Sequence, residues 1–260
     1  MTSFFQLFLL FILSISFFAE LFGQVNTERL RKREAAPGFA GKAGVGFTLL
    51  SGNTEFFKID TDLRLDYSRK AFYSFAVGNY QRGIRKEADF INKGFLHWRV
   101  MQDFSRRTTG ELFVQKAFND FTDLRSRNLI GGGGRLNLFL QRVKDSQEVR
   151  FECYLGVGLM WEEETIESSG VIRQQFRSTN YVSIYAKMDP NFQFSAITYL
   201  QTALQDRSDS RILSQVILRV GIADRVDLRA LMGLNYDARP PDGVKKHDLV
   251  LTNGLEFRLN

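Results

Sequence analysis

The sequence predicts an all-β chain folded as a single antiparallel up-and-down transmembrane β-barrel of about 12 strands. Three observations carry that expectation. From Gly44 onward, runs that alternate between apolar and polar residues recur, separated by clusters of Asp, Asn, Gly, Lys and Arg. The clearest runs set an uncharged apolar face against a charged one. The last such run, TNGLEFRLN, continues to Asn260, where a frayed polar tail would be the ordinary finish.

Residues 1–23, MTSFFQLFLLFILSISFFAELFG, hold a compact apolar run from Leu7 to Ala19 that closes at Glu20 and the small Gly23. A membrane-spanning helix needs about 20 apolar residues, so this shorter run reads as a secretory signal peptide cut after Gly23. Residues 24–43 follow as a polar, basic leader. Its densest charge run, NTERLRKRE from Asn26 to Glu34, could touch anionic lipid head groups, but a charge run ahead of the first strand is read as solvated. Residues 44–260 form the outer-membrane barrel domain in this reading.

Within that domain, KIDTDLRLDYS places Ile59, Thr61, Leu63, Leu65 and Tyr67 on one face and Lys58, Asp60, Asp62, Arg64 and Asp66 on the other. VRFECYLGVGLMWEE puts Val149, Phe151, Cys153, Leu155, Val157, Leu159 and Trp161 opposite Arg150, Glu152, Tyr154, Gly156, Gly158, Met160 and Glu162. RVDLRALMGLNY repeats the pattern, with Val226, Leu228, Ala230, Met232, Leu234 and Tyr236 against Asp227, Arg229, Leu231, Gly233 and Asn235. Each run can cross a bilayer, which takes about 9–11 tilted residues. Short links such as SRKA, QRVKDSQ, KMDPN and IADRV alternate with longer ones such as NYQRGIRKEADF, FNDFTDLRSRN, EEETIESSGVIRQQF, LQDRSDSR and DARPPDGVKKHD. That asymmetry is the habit of outer-membrane barrels, and an even strand number leaves both chain ends in the periplasm.

With the apolar faces toward lipid, the charged faces line a lumen, and Asp60, Asp62, Arg64, Lys93, His97, Arg99, Glu152 and Arg229 are the candidate lumen-facing residues. A charge turned to the bilayer centre costs about 2–4 kcal/mol, so the register of each strand is strongly specified. Tyr67, Phe72, Trp98, Phe118, Trp161, Tyr236 and Phe257 are placed near strand ends, where amphipathic rings suit a membrane interface.

The net charge is +6, yet the basic residues are spread along the chain, which speaks against nucleic acid as a partner of an exported protein. Cys153 is the single cysteine, so no intramolecular disulfide forms, and no Cys/His spacing matches a zinc site. No cofactor is expected.

The segments TLLSGNTE (Thr48 to Glu55), GGGGRLNLFL (Gly131 to Leu140), GVGLMWEEE (Gly156 to Glu164), STNYVSIY (Ser178 to Tyr185) and LNYDARPPDGVKKHDLVLTNGLEF (Leu234 to Phe257), in this order, resemble the salt-induced outer-membrane proteins typified by YdiY. The resemblance covers nearly the whole mature chain. It implies a domain of unknown function that forms an outer-membrane barrel of a Gram-negative-type bacterium, with no catalytic residues to carry over.

At the end of the chain, Thr252, Gly254, Phe257 and Leu259 resemble the sorting signal read by the barrel assembly machinery. That machinery and outer-membrane lipid are the expected partners. Gly131 to Gly134 lack the Lys-Ser/Thr and the helix of a phosphate loop, and read instead as a place where a strand bends or a loop approaches the wall. The acid cluster WEEETIE, Trp161 to Glu167, could hold a divalent cation but reads as an exposed acidic loop, and RPPDGVKK reads as a tight outer loop. An outer-membrane lipid-modifying hydrolase would need a serine beside His97 or His247 on the lipid side, and no pattern supplies one. The sequence therefore predicts a non-enzymatic barrel with a narrow charged lumen, serving a structural or envelope-stress role or slow passage of small solutes. The alternatives are that hydrolase and a soluble periplasmic barrel that binds a hydrophobic ligand.

Overall fold

A computed structural model describes Arg31 and residues 36–52, 55–85, 88–143, 148–189 and 191–257. The signal segment 1–23, most of the leader and Leu259 lie outside the described residues. Twelve strands follow one another in chain order. The first six are β1 (Gly38–Leu50), β2 (Phe56–Arg69), β3 (Phe72–Arg85), β4 (Ala88–Asp103), β5 (Thr108–Asn119) and β6 (Leu124–Arg142). The second six are β7 (Val149–Ile166), β8 (Ile172–Asp189), β9 (Phe192–Ala203), β10 (Ser210–Ala223), β11 (Val226–Asp237) and β12 (His247–Phe257). One helical turn, Asp120–Thr122, joins β5 to β6. Among the described residues no helix is long and apolar enough to cross a membrane.

Each strand pairs antiparallel with its neighbours in sequence, from β1 to β12, so the topology is purely up and down. The sheet curls into a barrel, because residues on strands that share no edge meet inside it. Tyr181 of β8 donates to Glu111 of β5 at 2.8 Å, and Arg211 of β10 donates to Glu162 of β7 at 2.7 Å. Both the start of β1 and the end of β12 lie at one end, called here the near end. The opposite mouth is the far end.

The pairing register sorts side chains by face. Asp60, Asp62, Arg64 and Asp66 of β2 stand opposite Gln81, Asn79, Val77 and Phe75 of β3, all inside. Apolar residues occupy the outer face, with Phe39 86% exposed and Val45, Phe47, Leu112, Val157 and Leu249 also open to the surroundings. Two polar pairs on that face satisfy each other across adjacent strands. The Thr198 and Ser214 hydroxyls of paired strands lie 2.8 Å apart, and the Trp98 indole N–H donates to Ser74 Oγ at 2.9 Å. All seven aromatics expected at strand ends share this outer face by register. At the near end, the rings of Phe39 and Tyr67 lie 4.4 Å apart and those of Tyr67 and Phe72 6.0 Å.

Three expectations change. The barrel begins at Gly38 and not at Gly44, because the small inward residues Ala40, Gly44 and Gly46 of β1 hide its alternation from a reading of hydropathy. Several stretches read as long loops are strand: β3 runs to Arg85 and β4 resumes at Ala88, while β7 and β8 enclose only residues 167–171. Much of the apparent loop asymmetry is therefore strand extending beyond the length a bilayer requires. Third, Glu162 and Glu164 lie within β7 and point inward instead of belonging to an exposed loop.

Candidate functional site

A barrel of eight strands is filled by side chains, and one of sixteen holds an aqueous channel; twelve strands leave a lumen that must be closed by long side chains if it is to be closed at all. Here arginines of β6, β8 and β10 reach into it and gather on β7. Alternation along β7 turns Glu152, Tyr154, Gly156, Gly158, Met160, Glu162 and Glu164 inward, as pairing with Tyr185, Ser183, Tyr181, Thr179, Arg177, Gln175 and Arg173 of β8 shows.

Glu162 is the centre of this cluster. It and Arg177 are both 0% exposed. Oε1 of Glu162 accepts from Arg127 Nε at 2.6 Å and from Arg211 Nη1 at 2.7 Å, while Oε2 accepts from Arg177 Nε and from Gln175 Nε2, the latter at 3.1 Å. The arginines in turn reach further acids. Arg211 donates to Glu164 at 2.8 Å and to Asp237 at 2.7 Å, and Arg177 grips both carboxylate oxygens of Asp209 at 2.8 and 2.9 Å. Charge-assisted, forked contacts of this kind are the ones that repay burial. The layer lies toward the far end, since these residues come from the start of β6, β8 and β10 and the end of β7.

Over this layer, the β11–β12 connection is tied to the β9–β10 connection. Arg239 Nη1 stands 2.6 Å from Asp206 Oδ2, and Nη2 donates to Ser208 Oγ at 2.7 Å. Gly243, with φ of +81°, makes the turn of RPPDGVKK possible.

Below the layer, glycines shape the interior. Gly131 and Gly133 of β6 face Met160 and Gly158 of β7, and Gly156 lies beside Tyr181. A Cβ on Gly156 would fall 2.0 Å from the Tyr181 ring, so its absence lets that ring lie across β7 and β6 to reach Glu111. A Cβ on Gly133 would fall 2.3 Å from the Val157 carbonyl. The glycine run is thus a floor for a crossing side chain and a site of close backbone approach. Glu111 also accepts from Arg99 at 3.2 Å.

The eight candidate lumen residues are distributed along the interior. Asp60, Lys93, His97, Arg99 and Glu152 are buried there, and Arg64 and Arg229 half-buried. Asp62 sits on the same register and is exposed, accepting from Asn79 at 2.9 Å. Arg64 forks onto Asp66 at 2.7 and 2.8 Å, with Tyr73 donating to the same carboxylate at 2.7 Å. His97 is 1% exposed, with Nδ1 3.1 Å from Gln115 Oε1 and its ring stacked near Phe113. Its Nε2 has no hydrogen-bond partner among the described residues. His247 instead opens β12 on the outer register beside Tyr236. Of the sorting residues, Thr252 and Gly254 face inward and Phe257 outward.

None of the eight candidates belongs to the ion-pair layer around Glu162. Its members, Arg127, Glu162, Glu164, Arg177 and Arg211, were missed by sequence reasoning. The available signal was phase: Glu162 and Glu164 continue the inward alternation of Glu152 and Tyr154 without a break. Arg31, within the leader run read as solvated, lies inside the near end, 3.7 Å from Glu152 and 5.5 Å from the centre of the Tyr154 ring. Burial of a guanidinium is favourable there because it meets both a carboxylate and an aromatic face.

No curated protein matches the sequence. Among solved structures, the fold is similar to a NanC porin in a rhombohedral crystal form, with a TM-score of 0.45, 11% identity and coverage of 78% of this chain and 94% of that one. It is also similar to a bacterial polysaccharide outer membrane secretin, with a TM-score of 0.42, 12% identity and coverage of 85% and 97%. A family model described as a protein of unknown function, DUF481, matches residues 43–258. By that match the chain belongs to the DUF481 family.

Proposed function

We propose that this protein is an outer-membrane barrel whose lumen is shut by a layer of buried ion pairs, so that it passes small polar solutes only slowly or serves as a closed structural element of the envelope. The observation that carries the reading is Glu162 held by three arginines from three strands, with no exposure of its own. An outer face that is apolar, on which the Thr198 and Ser214 hydroxyls pair with each other, supports membrane residence. A lipid environment leaves unpaired polar groups costly, whereas water would not demand the pairing. The signal-like segment 1–23 and the Thr252, Gly254, Phe257, Leu259 pattern support export and hand-over to the barrel assembly machinery. A soluble barrel that binds an apolar ligand would carry its apolar face inside, and a lipid hydrolase would turn its histidine and serine outward; His97 turns inward to Gln115, and the outward His247 stands opposite Tyr236 and not a serine.

The test is conductance of the folded full-length protein in planar lipid bilayers. The wild type is expected to give no steady open level, and Glu162→Gln to give conducting events. A large, steady wild-type conductance would contradict a shut lumen.

A further inference from the structure

Between the ion-pair layer and the β11–β12 connection, the far end encloses a cavity of about 80 Å³. A water needs about 10–15 Å³ of such space, so the cavity has room for roughly five to eight heavy atoms of a ligand. Arg127, Glu164 and Arg211 form its floor, and all three are already engaged: both arginines with Glu162 and Glu164, and Arg211 also with Asp237. None of them is left to recognise a ligand.

Asn235 is left. It is 9% exposed on the inner face of β11, and neither its Nδ2 nor its Oδ1 has a hydrogen-bond partner among the described residues. Register explains the gap, because its cross-strand neighbours are Leu213, which offers only hydrocarbon, and Asp248, which is exposed and does not reach the amide. A buried amide left unpaired is costly, so it marks a place where another group supplies both bonds.

The rest of the wall narrows the choice of that group. Leu124, Ile166, Pro240, Pro241 and Val244 give the cavity an apolar side, from which water gains nothing and a hydrocarbon ring does. Nδ2 requires an acceptor and Oδ1 a donor, side by side. A planar trans amide turns its C=O and N–H to opposite sides, whereas an amide closed into a ring presents both on one edge. At the rim, the exposed Lys245 and Lys246 have no ion pair or side-chain hydrogen bond among the described residues. Asp248 is the acid of the wall outside the pairs already named, so the two ammonium groups exceed it by one.

We propose that the far-end cavity binds a small cyclic amide that carries a carboxylate, with the lactam edge on Asn235, the ring carbons on the apolar side and the carboxylate at Lys245 and Lys246. The site lies beyond the ion-pair layer, so it stands whether or not the lumen conducts.

The test is calorimetric titration of the folded full-length protein in detergent, with L-pyroglutamate as probe. Cyclopentanecarboxylate, which lacks the amide, and 2-pyrrolidone, which lacks the carboxylate, are the comparators. Pyroglutamate is expected to bind saturably and each comparator about tenfold more weakly. Asn235→Leu should weaken pyroglutamate to the level of cyclopentanecarboxylate and leave cyclopentanecarboxylate itself unchanged within about twofold, which a merely structural role of Asn235 would not do. Lys245→Gln combined with Lys246→Gln, at exposed loop positions that do not threaten folding, should bring pyroglutamate to the level of 2-pyrrolidone. That second variant keeps the test decisive if Asn235→Leu does not fold, as judged by gel mobility before and after boiling. Gly134→Ala, whose added carbon meets nothing within 4 Å, should leave binding unchanged within about twofold. Absence of saturable pyroglutamate binding, equal binding of either comparator, or indifference to the far-end variants would overturn the site and leave the cavity to water.

Discussion

Arg211 on β10 and Glu162 on β7 are joined at 2.7 Å across the barrel interior, although their strands share no hydrogen-bonded edge. That contact ties two walls of the lumen together. Removal of one partner from a buried pair costs about 3–5 kcal/mol, because the other charge stays buried. Glu162→Gln, which leaves Arg127, Arg177 and Arg211 facing one another, is therefore expected to lower unfolding stability by that order. Denaturant unfolding monitored by gel mobility measures it, and a change below about 1 kcal/mol would show that the layer is not tightly coupled.

Glycines should differ sharply in their tolerance to alanine. At Gly156 the added carbon meets the Tyr181 ring at 2.0 Å, whereas at Gly134 it meets nothing within 4 Å. Gly156→Ala is expected to destabilise by about 1–3 kcal/mol through overpacking, and Gly134→Ala to be neutral or slightly stabilising. Equal effects in urea titrations would refute the role given to the glycine floor.

His97 fills space between Phe75 and Phe113, with ring centroids 5.9 Å from each. His97→Phe retains that volume and gives up one bond to Gln115, so a loss of about 1 kcal/mol is expected; His97→Ala opens a cavity and should cost about 2–4 kcal/mol. Thermal unfolding of the two variants decides the point, and an equal cost for both would indicate that the hydrogen bond outweighs the packing.

These residues also show what could be read from sequence. The strand count and the outer face were legible because an uncharged apolar row such as that of β7 repeats every second residue, and a period of two has one structural meaning over that length. The inward direction of Asp60, Arg64, His97 and Glu152 followed from the same phase. The ion-pair layer was not legible, because Arg127, Arg177 and Arg211 stand 35, 15 and 49 positions from Glu162 and become its neighbours only once the sheet curls. Acids at the end of a strand look the same, as a sequence, whether they meet water or arginine. The placement of Arg31 inside the near end had no local signal at all.

Acid should loosen the far-end loops late. Hydrogen bonds from the Ser208 hydroxyl and backbone hold the Asp206 carboxyl below the usual carboxylate range. With the folded pKa lowered, the stabilisation is complete above the ordinary value near 4 and is lost as pH falls through the lower folded value. Carbon-13 titration of Asp206 is expected to give a midpoint below about 3.9, rising in Ser208→Ala. An ordinary midpoint in the folded protein would remove the Ser208 contacts from the account.

The most direct measurement of the central claim is membrane fractionation of the full-length protein expressed in a Gram-negative host, with gel mobility compared before and after boiling. The account predicts a band in the outer-membrane fraction whose mobility changes on boiling, as a folded barrel requires. A protein recovered in the soluble periplasmic fraction without that shift would contradict it, and the exposed apolar face of the twelve strands would then need another partner.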